Sequence, residues 1–248
     1  MGSDDANRER LTGRSRTKTT LLRPCGDYLR RVLLPWVPRR IETWHLTGLT
    51  VPLAALVVLA GFLAGTNIQW IWLISGAVVL QYIADLLDGA LGRARGTGLV
   101  YWGFYMDHLS DAVFMGAVIA AYVPIYPDST PILIGILIAA TALFLHEALA
   151  CVCTGAYNWG GHHGLGLEEG RLLVILVNMA VVVSRPVWIH WVFVAVLILL
   201  GFILIEQSIV TQRRLWTADF ASRDRERAAN RLVVAGFGDD PPGLPGPS

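Results

Sequence analysis

Long apolar stretches, separated by short polar breaks, set the pattern of this chain. A helix needs about 20 apolar residues to cross a bilayer core, and six stretches approach that length. They run from about Leu46 to Ala64, Trp70 to Ala90, Val100 to Tyr122, Ile132 to Cys153, Leu172 to Val183 and Val187 to Ile209. The fifth is the shortest, with 12 strictly apolar residues before Ser184-Arg185-Pro186, and its first turn can be drawn from Leu167 to Arg171. The expected fold is therefore all-α: a polytopic membrane bundle of six transmembrane helices. Ahead of it, Leu22, Tyr28, Leu29, Val32, Leu33 and Trp36 alternate with Arg23, Arg30, Arg31, Arg39 and Arg40. That spacing predicts an amphipathic helix lying in the membrane interface, drawn to anionic headgroups.

These segments divide the chain into four parts. Residues 1–20 are polar, have no apolar core of a signal peptide, and read as a disordered tail. Residues 21–44 hold the interfacial helix and its flank, and residues 45–212 the six-helix transmembrane domain. Residues 213–248, ending PPGLPGPS, read as a polar, largely disordered tail.

Composition agrees with a bilayer as solvent. Hydrophobic residues make up 54% of the 248 and charged ones 16%, with mean hydropathy +0.52. A soluble domain of this size cannot hide that much apolar surface in one core. The net charge of +1 carries no information about partners, and nothing points to nucleic acid. Placement of the charges is more telling. Counted by alternate loops, 19 of the 20 Lys and Arg residues fall on one side and only Arg185 on the other. The positive-inside rule then puts both termini in the cytoplasm, in a multi-pass protein of the cell's inner (plasma) membrane. The tryptophans fit this layout: Trp70, Trp72, Trp188 and Trp191 at the outer interface, and Trp36, Trp44, Trp102, Trp159 and Trp216 at the inner one. Cys151 and Cys153 sit in an apolar run and read as small buried residues.

Against this apolar background, residues 85–111 stand out: DLLDGALGRARGTGLVYWGFYMDHLSD. Asp85 and Asp88 are three residues apart on the second span, and Asp107 and Asp111 four apart on the third, so each pair shares a helix face. The spans are antiparallel neighbours, and a rise of ~1.5 Å per residue brings all four carboxylates to similar depth. A lone charge at a span centre costs about 2.5–3.5 kcal/mol or more, so four together require counter-charge. All-oxygen ligands suit magnesium, manganese or calcium, and a pair of such ions can clamp a phosphoryl group. Gly89 and Gly103, beside the acids, allow close approach of a ligand or a neighbouring backbone. Arg93 and Arg95 stand where a diphosphate would be met.

The same stretch resembles the signature of the CDP-alcohol phosphotransferase (phosphatidyltransferase) family, D-x-x-D-G-x-x-A-R, eight residues, G-x-x-x-D-x-x-x-D. Asp85, Asp88, Gly89, Arg93, Gly103, Asp107 and Asp111 match. Gly92 stands where the family usually has Ala, and nine residues rather than eight separate Arg93 from Gly103. Arg93 and Arg95 therefore both remain candidates for the family arginine. The resemblance implies an enzyme of phospholipid biosynthesis that displaces CMP from a CDP-linked lipid, such as CDP-diacylglycerol, using an alcohol acceptor. It implies two divalent ions, Mg2+ or Mn2+, held by Asp85, Asp88 and Asp107 with Asp111 nearby. Asp111 would be the general base, and the protein a homodimer in membrane lipid. Many acceptor alcohols fit, from glycerol phosphate to a second lipid.

Glu147 in the fourth span and Arg171 at the start of the fifth are candidates for the acceptor site, since ionisable groups inside a membrane are rarely idle. His162 and His163, in the loop before Arg171, share that side of the membrane. His108 points off the face of Asp107 and Asp111 and is assigned no chemistry. Two other readings compete: an aspartate-rich intramembrane prenyltransferase, which calls for more spans and a second acidic motif, and a carboxylate-based ion transporter, which calls for broken helices.

Overall fold

Each of the six apolar stretches forms a helix. A computed structural model describes residues 22–96, 99–154, 167–184 and 188–236. The tail 1–20 and the pair His162-His163 lie outside the described residues. Among the described residues the α-helices are α1 (Arg23–Leu33), α2 (Thr43–Thr66), α3 (Ile71–Arg95), α4 (Val100–Ala121), α5 (Thr130–Thr154), α6 (Leu167–Ser184) and α7 (Ile189–Gly236). Four segments are long and apolar enough to cross a membrane: Thr43–Thr66, Ile68–Arg95, Pro127–Cys153 and Ile189–Ala228. That is compatible with a multi-pass membrane protein. Helices α4 and α6 are not among these four; α4 carries Asp107, His108 and Asp111, and α6 Glu168, Glu169 and Arg171. The residues that break their apolar pattern are those with chemistry to offer.

The chain forms two units, 1–206 and 207–248. In the first, α2 is the central post, with α3 and α4 both packed along it; α6 lies against α3, and α5 against α4. Helices α3 and α4 touch each other little. Close approach of α2 to α4 depends on Gly61, since a Cβ there would lie 2.6 Å from the Ala121 Cα. Val57, Ala60, Ile71, Ile74, Val78 and Val181 form the buried heart of the bundle. Beside them Tyr122, just after α4, donates to Asn178 Oδ1 at 2.6 Å, and Asn178 Nδ2 donates to Ser75 Oγ at 2.9 Å. Asn178 is wholly buried. With no water to satisfy such groups, this chain of bonds fixes α6 to α3 and α4.

Local chemistry shapes the acidic end. Glu42 begins α2 with a capping box: its side chain takes the His45 backbone N–H, and its own N–H is taken by the His45 ring, as such boxes do. Helix α3 ends at Gly96, whose φ of 62° is the left-handed closure that glycine adopts freely. Arg95 then reaches back to the strap before α2. It donates to the carbonyls of Ile41, Pro38 (3.1 Å) and Arg39 (3.4 Å), and pairs with Glu42 at 3.5 Å.

Helix α1 rides on the same end. Arg30 Nε donates to the Leu86 carbonyl of α3 at 3.4 Å, and the Leu22 N–H to Glu169 of α6 at 3.3 Å. Gly26 abuts Tyr82, where a Cβ would come within 3.0 Å of the hydroxyl.

Three expectations change. The polar tail from residue 213 is helical as far as Gly236, because no proline or glycine interrupts residues 213–235 and good helix formers such as Ala, Arg and Leu fill them. In this second unit the rings of Trp216 and Phe220 meet at a tilt with centres 4.9 Å apart, and Arg223 lies over Phe220 at 4.2 Å. Cys153 is exposed while Cys151 is buried, as residues two apart on a helix must differ in face. Arg171 is no loop residue: it lies within α6, buried, so it does not belong in the loop-charge count. The other eight tryptophans besides Trp159, which lies outside the described residues, are all exposed.

Candidate metal centre

Asp85 and Asp88 come from the last turns of α3, Asp107 and Asp111 from the middle of α4. Three of the four converge. Carboxylate oxygens of Asp85, Asp107 and Asp111 all lie within 4.8 Å of one another. Asp111 is the deepest, 8% exposed. With little direct contact between α3 and α4, the acids meet through their side chains.

Asp88 stands outside this group. Its Oδ2 accepts a 2.5 Å hydrogen bond from Thr47 Oγ1 of α2. Thr47 Oγ1 also lies 3.2 Å from the Thr43 carbonyl, but a hydroxyl has one proton, and the shorter, charge-assisted bond to the carboxylate takes it.

Two residues on neighbouring turns hold the converging acids. Gln81, one turn before Asp85 on α3 and 1% exposed, donates Nε2 to Asp111 Oδ1 at 2.9 Å. Arg171, 9% exposed, donates Nη1 to Asp85 Oδ2 and Nη2 to Asp111 Oδ1, both at 3.0 Å. The guanidinium also lies 5.6 Å from the Tyr82 ring centre. Gln81 Oε1 is buried with no hydrogen-bond partner among the described residues, so a donor arriving with a ligand would satisfy it. Behind Asp111 and Arg171 a small cavity is walled by Val78, Phe114, Met115, Val118 and Val174.

The donor set fits a divalent metal. Three carboxylates offer up to three formal negative charges, enough to hold one such ion. All the donors are hard oxygens, as Mg2+ or Mn2+ requires. Two Mg–O bonds of about 2.1 Å span at most about 4.2 Å, so oxygens at the 4.8 Å limit need a closure of only a few tenths of an ångström.

The remaining candidates fall into two sets. Arg93 is exposed and its guanidinium lies against Gly89, where a Cβ would meet Nη1 at 3.4 Å. Nothing lies within 4 Å of a Cβ at Gly103, which leaves open space on that face of α4. Arg95, by contrast, is committed to the strap before α2 and is not turned to the acids. Glu147 is buried on α5, 8% exposed, but belongs neither to the carboxylate group nor to the cavity wall. His108 contacts its own helix, with Nδ1 2.7 Å from the Phe104 carbonyl.

Sequence reasoning missed Thr47, Gln81 and the chain from Tyr122 to Ser75. Gln81 had a readable signal, a polar residue four before Asp85 in an apolar span. Thr47 had none, since a threonine in a span passes as apolar. Compared with family models, curated proteins and solved structures, the chain matches none, so its function is argued from its own residues.

Proposed function

We propose that the protein is an integral membrane transferase of CDP-alcohol phosphotransferase type. It moves a substituted phosphate group, in the phosphatidyl form, from a CDP-linked lipid such as CDP-diacylglycerol to an alcohol, releasing CMP. The observation that carries this reading is the convergence of Asp85, Asp107 and Asp111, three acids of the signature on two helices, within 4.8 Å. Helices α3 and α4 also run unbroken past these acids, whereas carboxylate ion sites in transporters are typically built on discontinuous helices.

In the reaction the acceptor oxygen bonds to the lipid-side phosphorus as the bond from that phosphorus to the CMP oxygen breaks. The acceptor proton passes to the carboxylate of Asp111, which Gln81 orients through its Oδ1. Asp85, Asp107 and Asp111, with Asp88 beside them, would hold Mg2+ or Mn2+, two ions by the family pattern, which neutralise charge on the diphosphate. Arg93 at the open face by Gly89 and Gly103 takes the diphosphate role, because Arg95 is spent on the α1–α2 strap. Glu147 is kept as a second-choice acceptor group on α5. The protein works as a homodimer.

Reconstituted with CDP-diacylglycerol and a panel of alcohols, the protein is expected to release CMP with at least one acceptor. Release with none of the panel, from protein shown to be folded, would overturn the reading.

The membrane arrangement belongs to the same proposal. Six spans, α2 to α7, put both termini in the cytoplasm of the inner membrane, with α1 lying in the interface on its exposed Tyr28, Val32 and Trp36. Without Arg171, the basic count is still eighteen to one. In a background lacking Cys25, Cys151 and Cys153, single cysteines at Asn67 and Asp128 are expected to react with an impermeant reagent added outside. Labelling of either position only from the cytoplasmic side would exclude six spans.

A further inference from the structure

We propose that Arg171 is the resident counter-ion of the carboxylate cage, and that it and a divalent ion compete for the same oxygens. The inference rests on the metal-centre reading above and adds to it a device in the protein itself. Arg171 bridges two helices: Nη1 is on Asp85 of α3 and Nη2 on Asp111 of α4, each at 3.0 Å. Both partners belong to the group of three that could hold a metal. The guanidinium therefore sits where an ion would draw its ligands, and its planar fork suits this double engagement.

Simultaneous occupancy is disfavoured on two counts. A dication bound to these oxygens would lie beside a second positive charge in a site with little water to screen the repulsion. The fork also lies 3.0 Å from both Asp85 Oδ2 and Asp111 Oδ1, in the space that an ion bound to those two oxygens would fill. On ion entry the guanidinium must leave, and the Tyr82 ring at 5.6 Å offers it a face on which to rest. The arrangement explains how three acids can stay gathered in a buried site before an ion arrives. It also makes a free cationic side chain appear at the site only once the ion is in place, so ion binding and the binding of an anionic substrate group strengthen each other, as linkage requires.

The test is Mn2+ binding to purified full-length protein, followed by the electron paramagnetic resonance of the free ion, with no turnover involved. Arg171→Gln is expected to bind Mn2+ about tenfold tighter than wild type, one decade of competition removed. In chelator the same variant should melt below wild type, and Mn2+ should restore it. Arg171→Lys keeps the charge but can bridge only one carboxylate, so its affinity should fall between the two. Unchanged or weaker binding by folded Arg171→Gln overturns the proposal. If the glutamine variant does not fold, the lysine variant decides: tighter binding than wild type supports competition, equal or weaker binding rejects it. Tight binding by wild type without tightening in the variants defeats only the counter-ion role. No Mn2+ binding by any of the proteins defeats the metal centre and the competition with it.

Discussion

Chelation is expected to reduce CMP release by the reconstituted protein to background, and Mg2+ or Mn2+ to restore it. The effect should be total because no other charge at the site can replace the ion. Asp85, Asp107 and Asp111 present oxygens within 4.8 Å of one another, and a diphosphate brought against three carboxylates meets only repulsion unless a cation stands between. Among the described residues Arg171 is the buried cation on the cluster, and it is already engaged with Asp85 and Asp111. After chelation it would return to those partners rather than to the substrate. Thermal stability provides the control: the protein should stay folded in chelator, since Arg171 then neutralises the cage. Full CMP release in excess chelator would refute the metal centre, whatever the state of the fold.

The acids were legible in the sequence because charge inside an apolar span is costly, and spacings of three and four on consecutive spans set them on facing surfaces. Helix positions were legible for the same reason, since apolar length is read directly. What escaped was whatever depends on the third dimension. That Asp88 pairs with Thr47 follows from α2 packing on α3, a neighbour 41 residues away in the chain. Arg95 reads as a phosphate ligand by position, yet the Gly96 closure turns it toward the strap before α2. Arg171 reads as a residue of the loop before the fifth span, or of its first turn, near the acceptor site. Only the placement of α6 against α3 shows that it is buried among the acids. The helical run to Gly236 was missed for a different reason: polarity was taken as disorder where residues 213–235 hold no helix breaker.

Asp111→Asn is expected to lower transfer by about 10²-fold or more, the usual worth of a positioned base, while leaving CDP-lipid binding largely intact. The geometry makes this substitution unusually clean. Gln81 Nε2 and Arg171 Nη2 both donate to one oxygen of Asp111, Oδ1, at 2.9 and 3.0 Å. An asparagine of the same shape can keep its carbonyl oxygen in that place, so in the ion-free protein both bonds persist and packing in the buried site is preserved. What changes is the second oxygen, which becomes an amide nitrogen and can no longer accept the acceptor's proton. Asp85→Asn is the comparison: it removes a cage charge beside Arg171 Nη1, and should weaken Mn2+ and nucleotide binding together. The two variants therefore separate a base from a ligand. The base variant should show normal CDP-lipid affinity and a lost chemical step, and the cage variant a loss in affinity that added Mn2+ partly repairs. If Asp111→Asn loses nucleotide binding as severely as Asp85→Asn, Asp111 acts chiefly as a metal ligand. The proton must then be taken elsewhere, and buried Glu147 on α5 is the next carboxylate to replace.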